Sequence, residues 1–268
     1  MTFRPILLCG DPHGQFIHIL EATSKIDPIA VILLGDMEPD APLETVLAPV
    51  AERVWWIPGN HDSDRIVDIE RTWQSRLADR NLHGRVVKLE DGRRIAGLGN
   101  VFRGSVWLPK GAGGTAGAPP SFSSMRQHAR STPRQDRYGD GPHFKHWGTI
   151  YPEDFERLKR QRADILVTHE ASGYHPYGFP VLDDLARALG VSLLAHGHLH
   201  DARWRFEDQL QVWRSQGFKS VGVGLRGITA IIGDGELEVV VPGELDGPSA
   251  ARMSRATVAA QFVEGAKP

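Results

Sequence analysis

Cysteine is almost absent: Cys9 is the only one in 268 residues, which excludes an internal disulfide and a thiolate metal cluster. Cys9 itself reads as a small core hydrophobe on a strand. Long apolar runs are missing too, because the longest, Ile29 to Leu34, is far short of the roughly 20 residues that span a bilayer. The opening residues Met1 to Gly10 lack the apolar core and small-residue cleavage site of a secretion signal, so a cytoplasmic protein with no membrane partner is expected. Nor does one sign of charge prevail. Lys and Arg number 31 against 33 Asp and Glu, a formal net charge of −2, and neither a polybasic nucleic-acid coat nor an acidic tail dominates. With 41% hydrophobic and 24% charged residues, the chain can bury a sizeable core, which excludes wholesale disorder.

Histidine is what the sequence has in plenty: 12 residues, together with 29 glycines and 18 prolines. Such punctuation suggests short strands that end in ligand-bearing loops. Pro5 to Cys9 is a short apolar run stopped by Gly10, and Gln15 to Thr23 carries Phe16, Ile17, Ile19 and Leu20 at helical spacing. Ile29 to Leu34 reads as a second strand ending at Gly35-Asp36. A helix over Leu43 to Ala51 leads to a third strand, Arg53 to Ile57, ending at Pro58-Gly59-Asn60-His61-Asp62. Parallel crossover units of this type build an α/β layer and place ligands beyond the carboxyl ends of the strands.

From Arg85 the period changes to two, and Glu90-Asp91-Gly92-Arg93 signals a hairpin whose return strand is Ile95 to Leu98. Asp164 to Thr168 is a buried strand ending at His169, Pro180 to Leu189 is a helix stopped by Gly190, and Val191 to Ala195 is a strand running into His196-Gly197-His198-Leu199-His200. Arg203 to Phe206, Leu210 to Trp213, Lys219 to Val223, Ile228 to Ile232 and Leu237 to Val241 read as antiparallel strands. The second half would then form a second sheet packed on the first. We expect one domain over 1–242, with residues 243–268 as a peripheral tail. The stretch from about 103 to 147 is an insertion much longer than ordinary connections. It holds Arg103, Lys110, Arg126, Arg130, Arg134, Arg137 and Lys145 against Asp136 and Asp140, an excess of positive charge that would attract an anion.

Asp11, His13, Asp36, Asn60, His61, His169, His198 and His200 each follow the end of a predicted strand. Singly, an aspartate in a turn serves local hydrogen bonding, and Gly-Asn-His-Asp is a turn. Together, on one sheet edge, carboxylate, amide and imidazole groups suit two borderline divalent metals. Two closely spaced ions need a bridging carboxylate, while neutral imidazoles leave the centre positive enough to bind phosphate.

Asp11-Pro12-His13, Gly35-Asp36, Gly59-Asn60-His61-Asp62, His169 and Gly197-His198-Leu199-His200, in that order, resemble the five motifs of the calcineurin-like metallophosphoesterase superfamily. The resemblance runs from about residue 6 to 201. It implies a four-layer α/β/β/α sandwich, two mixed sheets flanked by helices. It implies one metal ion on Asp11, His13, Asp36 and His200, and a second on Asp36, Asn60, His169 and His198. Manganese is expected, although iron, zinc, cobalt and nickel also suit such donors. The implied activity is hydrolysis of a phosphodiester or phosphomonoester by a hydroxide bridging the two metals. His61 would contact the phosphate and protonate the leaving oxygen, with Asp62 beside it to orient or raise the basicity of a neighbour.

The sequence departs from the phosphoprotein phosphatases of the superfamily, whose second motif continues into Asp-Arg-Gly. Here Met37-Glu38-Pro39-Asp40 follows Asp36, which disfavours a phosphoprotein. The expected substrate is a small phosphorylated or nucleotide-like molecule; the alternatives are a nuclease acting on DNA or RNA, steered by the basic insertion, and a metal-free protein-binding scaffold of the same fold. The oligomeric state stays open. His196 reads as a satisfied core or supporting position, His18, His83, His128, His143 and His146 as surface, and His175 as surface or pocket rim. Arg103, at the mouth of the insertion, is a candidate phosphate-contacting arginine.

Overall fold

The computed structural model describes residues 4–200, 211, 213–233 and 235–246. Two five-stranded sheets lie face to face. In the first, β1 (Ile6–Cys9) and β2 (Ala30–Leu33) pair in parallel, and β2 pairs in parallel with β3 (Val54–Trp56). In the second, β4 (Arg85–Lys88) is antiparallel to β5 (Arg94–Leu98), as the Asp-Gly turn requires. Beside β5 run β6 (Ile165–Thr168), β7 (Leu193–His196) and β8 (Lys219–Gly222), all parallel.

Strand alternation divides the core. Ile6 and Leu8 of β1 point between the sheets and pack with Ile95, Ile165, Val167 and Leu193. Leu7 and Cys9 point outward into a second cluster with Ile19 and Ala22 of α1 (Ile17–Ile26) and Leu43 of α2 (Leu43–Val46). On the far side, Ala96 and Leu98 meet Phe155 and Leu158 of α5 (Pro152–Lys159), together with Leu182, Leu185 and Leu189 of α6 (Pro180–Leu189). The four layers are therefore helix, sheet, sheet, helix. Cys9 is a fully buried core residue.

Several expectations need correction. β8 is parallel to β7, not antiparallel. The last two strands, β9 (Ile228–Ile232) and β10 (Glu236–Val241), return to the first sheet, where β9 pairs antiparallel with β1. Burial explains this: Ile231 and Leu237 fill the space between the sheets, whereas Ile228 and Ala230 join the outer cluster. Residues 211 and 213–216 are helical rather than extended, and the indole N–H of Trp213 donates to the Ser220 carbonyl at 3.0 Å. The strand expected over Arg203 to Phe206 lies outside the described residues. The expected helix from Leu43 shortens to one turn and continues as a 3₁₀ segment, Ala48–Arg53, with Pro49 in its first turn. Helices α3 (Ile66–Thr72) and α5 were not foreseen.

The insertion is built on a neck where residues 101 and 148–150 exchange backbone hydrogen bonds, Ile150 N–H donating to Val101 at 3.0 Å. Beyond the neck it carries α4 (Met125–Ser131), capped by the Ser124 hydroxyl, which accepts from Gln127 N–H at 3.0 Å. Residues 243–246 fold back on the loop after β8, where Glu244 N–H donates to Leu225 and Arg226 pairs with the Glu244 carboxylate. The rest of the expected tail lies outside the described residues.

Candidate metal centre

The loops after β1, β2, β3, β6 and β7 converge at one edge of the sandwich, and two groups of donors form there. His13, Asp36 and His200 make one; Asp36, His169 and His198 make the other, each with its donor atoms within 4.8 Å of one another. Asp36 belongs to both. Asn60 adjoins the second group, with Oδ1 at 3.1 Å from His169 Nε2. Asp11 is in neither group; fully buried, its carboxylate accepts from His198 N–H at 3.0 Å and lies 3.7 Å from His169 Nδ1, on the side of the second.

Tight, strained backbone makes the convergence possible. Asp11, His13, Asp36, His198 and His200 all have positive φ, between 36° and 68°, a region that costs non-glycine residues about 1–3 kcal/mol each. Asp36 follows Gly35, itself at φ 103°. At Gly59 a Cβ would stand 2.6 Å from His169 Cε1. Only a bare backbone lets the loop after β3 pass beneath Asp36 and His169.

The residues fit divalent metals. Asp36 Oδ1 accepts from His61 N–H at 2.8 Å, but Oδ2 is buried with no hydrogen-bond partner among the described residues. Such an atom costs about 1–3 kcal/mol unless something compensates it. His13 donates Nδ1–H to Glu38 at 2.5 Å, so its Nε2 carries a lone pair, and that atom faces His200 Nε2 at 3.2 Å. His169 donates Nδ1–H to the Leu34 carbonyl at 2.7 Å and turns Nε2 toward Asp36 Oδ2, 3.4 Å away. Backbone or carboxylate contacts of this kind fix the tautomer in metal-binding histidines.

Electrostatics agree with the donor chemistry at His198 and His200. Burial and the neighbouring His169 push His198 down to about 3, and burial and His13 lower His200, so both rings are neutral donors near pH 7. Burial resists ionisation of Asp36, yet the His169 charge holds its carboxyl below the usual range; His169 is raised in return, against its own burial. Burial and the Asp36 charge push Asp11 up to about 7.

His61 stands at the rim, its ring centroid 5.6 Å from that of His13. The expected neighbour, Asp62, does not serve it. Asp62 is fully buried and accepts N–H bonds from Gly59 at 2.7 Å and Met37 at 2.8 Å, tying the loops after β2 and β3 together. Asp64 is the residue on His61 Nδ1, at 2.6 Å. Burial disfavours the charged His61 ring, but the Asp64 hydrogen bond and the Asp36 charge outweigh it and raise its pKa.

Three further residues escaped the sequence: Glu38, Asp64 and Glu170. Glu170 is buried, accepts Phe102 N–H at 3.1 Å, and has Oε2 at 3.9 Å from His198 Nε2. Each follows a predicted ligand by one to four positions, which was the available signal. His196 is a buried supporting residue as expected, linked to the Tyr174 hydroxyl at 2.6 Å and the Gly197 carbonyl at 2.8 Å. The other histidines are half-buried rather than on the open surface: His83 pairs with Asp154 at 3.2 Å, and His128 stacks on Phe122 and meets the Tyr151 hydroxyl at 2.9 Å. His175 accepts Tyr177 N–H at 3.1 Å, and its ring centroid lies 6.4 Å from that of His196.

Known proteins resemble this chain in sequence and in fold. The chain is 39% identical over 196 residues to an uncharacterized protein of Haemophilus influenzae, covering 73% of this chain and 83% of that one. The solved structure of TT1561 from Thermus thermophilus superposes with a TM-score of 0.54 at 15% identity, over 90% of this chain and 99% of that one, a likeness of fold. The family model for calcineurin-like phosphoesterases matches residues 4–202, from the start of β1 past His200. By that match and by the layered sheets that carry the donor loops, the chain belongs to the calcineurin-like phosphoesterase family.

Proposed function

We propose that the protein is a metal-dependent phosphoesterase with a dinuclear centre, acting on a small phosphorylated or nucleotide-like molecule in the cytoplasm. The observation that carries this reading is the sharing of Asp36 by two histidine groups, with its Oδ2 buried and without a hydrogen-bond partner among the described residues. Asp11, His13, Asp36 and His200 would hold one divalent cation and Asp36, Asn60, His169 and His198 the other, manganese being the first to test. When bound, such ions supply Lewis acidity toward a phosphoryl oxygen and lower the pKa of water toward neutrality.

The chain's own residues do the rest. His61, anchored through Nδ1 by Asp64, keeps Nε2 to hydrogen-bond the phosphate and deliver a proton to the departing ester oxygen. Against burial, the Asp64 hydrogen bond and the Asp36 charge favour the protonated ring. Glu38 holds His13 in the tautomer that presents Nε2, and the Leu34 carbonyl does the same for His169. Asp62 keeps the two loops in register.

The test strips the protein of metal, reloads it with Mn²⁺, and follows p-nitrophenyl phosphate and bis(p-nitrophenyl) phosphate with wild type and Asp36→Ala, measuring metal content throughout. Two bound ions and hydrolysis of either ester, both lost in the variant, support the reading. Two ions and full turnover in Asp36→Ala overturn it. A wild type that takes up no metal points to the scaffold. Turnover confined to oligonucleotides, with steep salt dependence, points to the nuclease.

A further inference from the structure

The cations of the insertion are spent unevenly. Lys110, Arg126, Arg130, Arg134 and Lys145 are exposed. Arg137 donates Nε–H to the Thr132 carbonyl at 2.8 Å and holds its own loop. Arg103 differs: it is half-buried, and its Nε is sealed from solvent with no hydrogen-bond partner among the described residues. A guanidinium presents five donors in a planar fork and is the side chain best matched to phosphate.

Its position is fixed by the metal centre's own support. The neighbouring backbone, Phe102 N–H, is pinned by Glu170 Oε1 at 3.1 Å, and Glu170 Oε2 lies 3.9 Å from His198 Nε2. Arg103 is therefore one residue beyond a carboxylate that rests against a proposed metal ligand. His146 also carries a buried nitrogen, Nδ1, with no hydrogen-bond partner among the described residues. The positive charge of Arg103 reaches both Glu170 and His146. Arg103 and His146, each with a buried nitrogen that has no hydrogen-bond partner among the described residues, thus stand at the insertion's neck within electrostatic reach of each other, Arg103 also within reach of the carboxylate that rests against His198.

Resting on the phosphoesterase reading above, we propose that Arg103, on the neck of the insertion, binds an unesterified phosphoryl oxygen of the substrate and makes the site selective for phosphomonoesters over phosphodiesters. A monoester has three unesterified oxygens and is close to a dianion at neutral pH; a diester has two and is a monoanion. A further fixed cation therefore favours the monoester twice, through the additional acceptor and through the greater charge. Arg103 would touch the substrate, whereas Glu170 positions it by holding the backbone at Phe102.

The test uses Mn²⁺-loaded protein, wild type beside Arg103→Ala and Arg103→Lys, with inorganic phosphate titrated by calorimetry and both p-nitrophenyl esters assayed. Wild type should turn over the monoester with the higher kcat/KM. Arg103→Ala should bind phosphate about 10–100-fold more weakly and lose a similar factor on the monoester, with the diester changed by less than about threefold. Arg103→Lys should recover part of both, at unchanged metal content and melting temperature. Equal losses on the two esters, undiminished phosphate binding, or a wild-type preference for the diester would overturn the assignment while leaving the phosphoesterase reading intact. Wild-type protein that carries Mn²⁺ yet neither binds phosphate nor cleaves either ester overturns both.

Discussion

Asp64 Oδ2 accepts a 2.6 Å hydrogen bond from His61 Nδ1, across three residues of a single 3₁₀ turn. That bond sets which ring nitrogen of His61 is left for substrate. Replacing His61 with Gln should leave two bound metals and slow turnover by about 10²–10⁴-fold, the usual worth of a positioned proton donor. Asp64→Ala should cost less, about 10-fold, because the ring remains but loses its anchor. Metal analysis beside kcat would decide: loss of metal in either variant removes His61 from the role of proton donor.

Glu38 makes the same kind of contact one layer deeper, on His13 Nδ1, from a backbone with φ 42°. Its removal frees the ring to turn or change tautomer. Glu38→Gln should weaken uptake of one of the two metals by about 10–100-fold while the other, held around His169 and His198, stays. Titration with limiting Mn²⁺ against a chelator should show two affinities separated in the variant. A single unchanged affinity would mean that Glu38 merely occupies space.

These pairs mark the line between what was legible in the sequence and what was not. The convergence of His13, Asp36, His169, His198 and His200 could be read because each follows an apolar run, and the direction of a strand decides where its end lies. The layers followed from crossover units, and the hairpin from Asp91-Gly92. What failed was long-range pairing. Alternation within Ile228 to Ile232 is equally compatible with either sheet, and only burial against β1 decides for the first. Asp62 and Asp64 are indistinguishable by residue type and nearly so by position. A 3₁₀ turn brings position i+3 back onto His61, whereas Asp62 points into the core. In the insertion, scattered glycine and proline conceal α4 and the neck, which give it a fixed frame.

Away from the site, Asp154 joins the insertion's far end to the sheet edge. Its carboxylate meets His83 Nε2 at 3.2 Å and Arg157 at 2.5 Å. Burial opposes its charge, but His83 and Arg157 outweigh burial and hold its pKa below the ordinary 3.8. A carboxyl depressed on folding stabilises the native state above its unfolded pKa, and the benefit disappears as pH falls through the folded value. Asp154→Asn should therefore unfold about 1–3 kcal/mol more easily at neutral pH. In urea titrations the difference between wild type and variant should shrink steadily below about pH 4. A constant difference down to pH 2 would assign the effect to shape rather than charge.

Gly59 carries the sharpest steric demand in the centre. A Cβ there would stand 2.5 Å from Asp36 N and 2.6 Å from His169 Cε1, and would press on Asp36 Oδ1 itself. None of these can swing away: the first is backbone, and both side chains are buried and held by hydrogen bonds. Gly59→Ala must therefore push the loop after β3 away from Asp36, at a cost of about 1–3 kcal/mol in stability. Asn60 moves with that loop, so metal affinity should fall as well, by about 10–100-fold as when a ligand's support is lost. Gly104→Ala, where a Cβ meets nothing within 4 Å, supplies the control for the substitution itself. Urea unfolding of the metal-free chains and chelator competition of the loaded ones separate the two effects. If Gly59→Ala matches the control in both, the close approach of the β3 loop to Asp36 is not what holds the donors together.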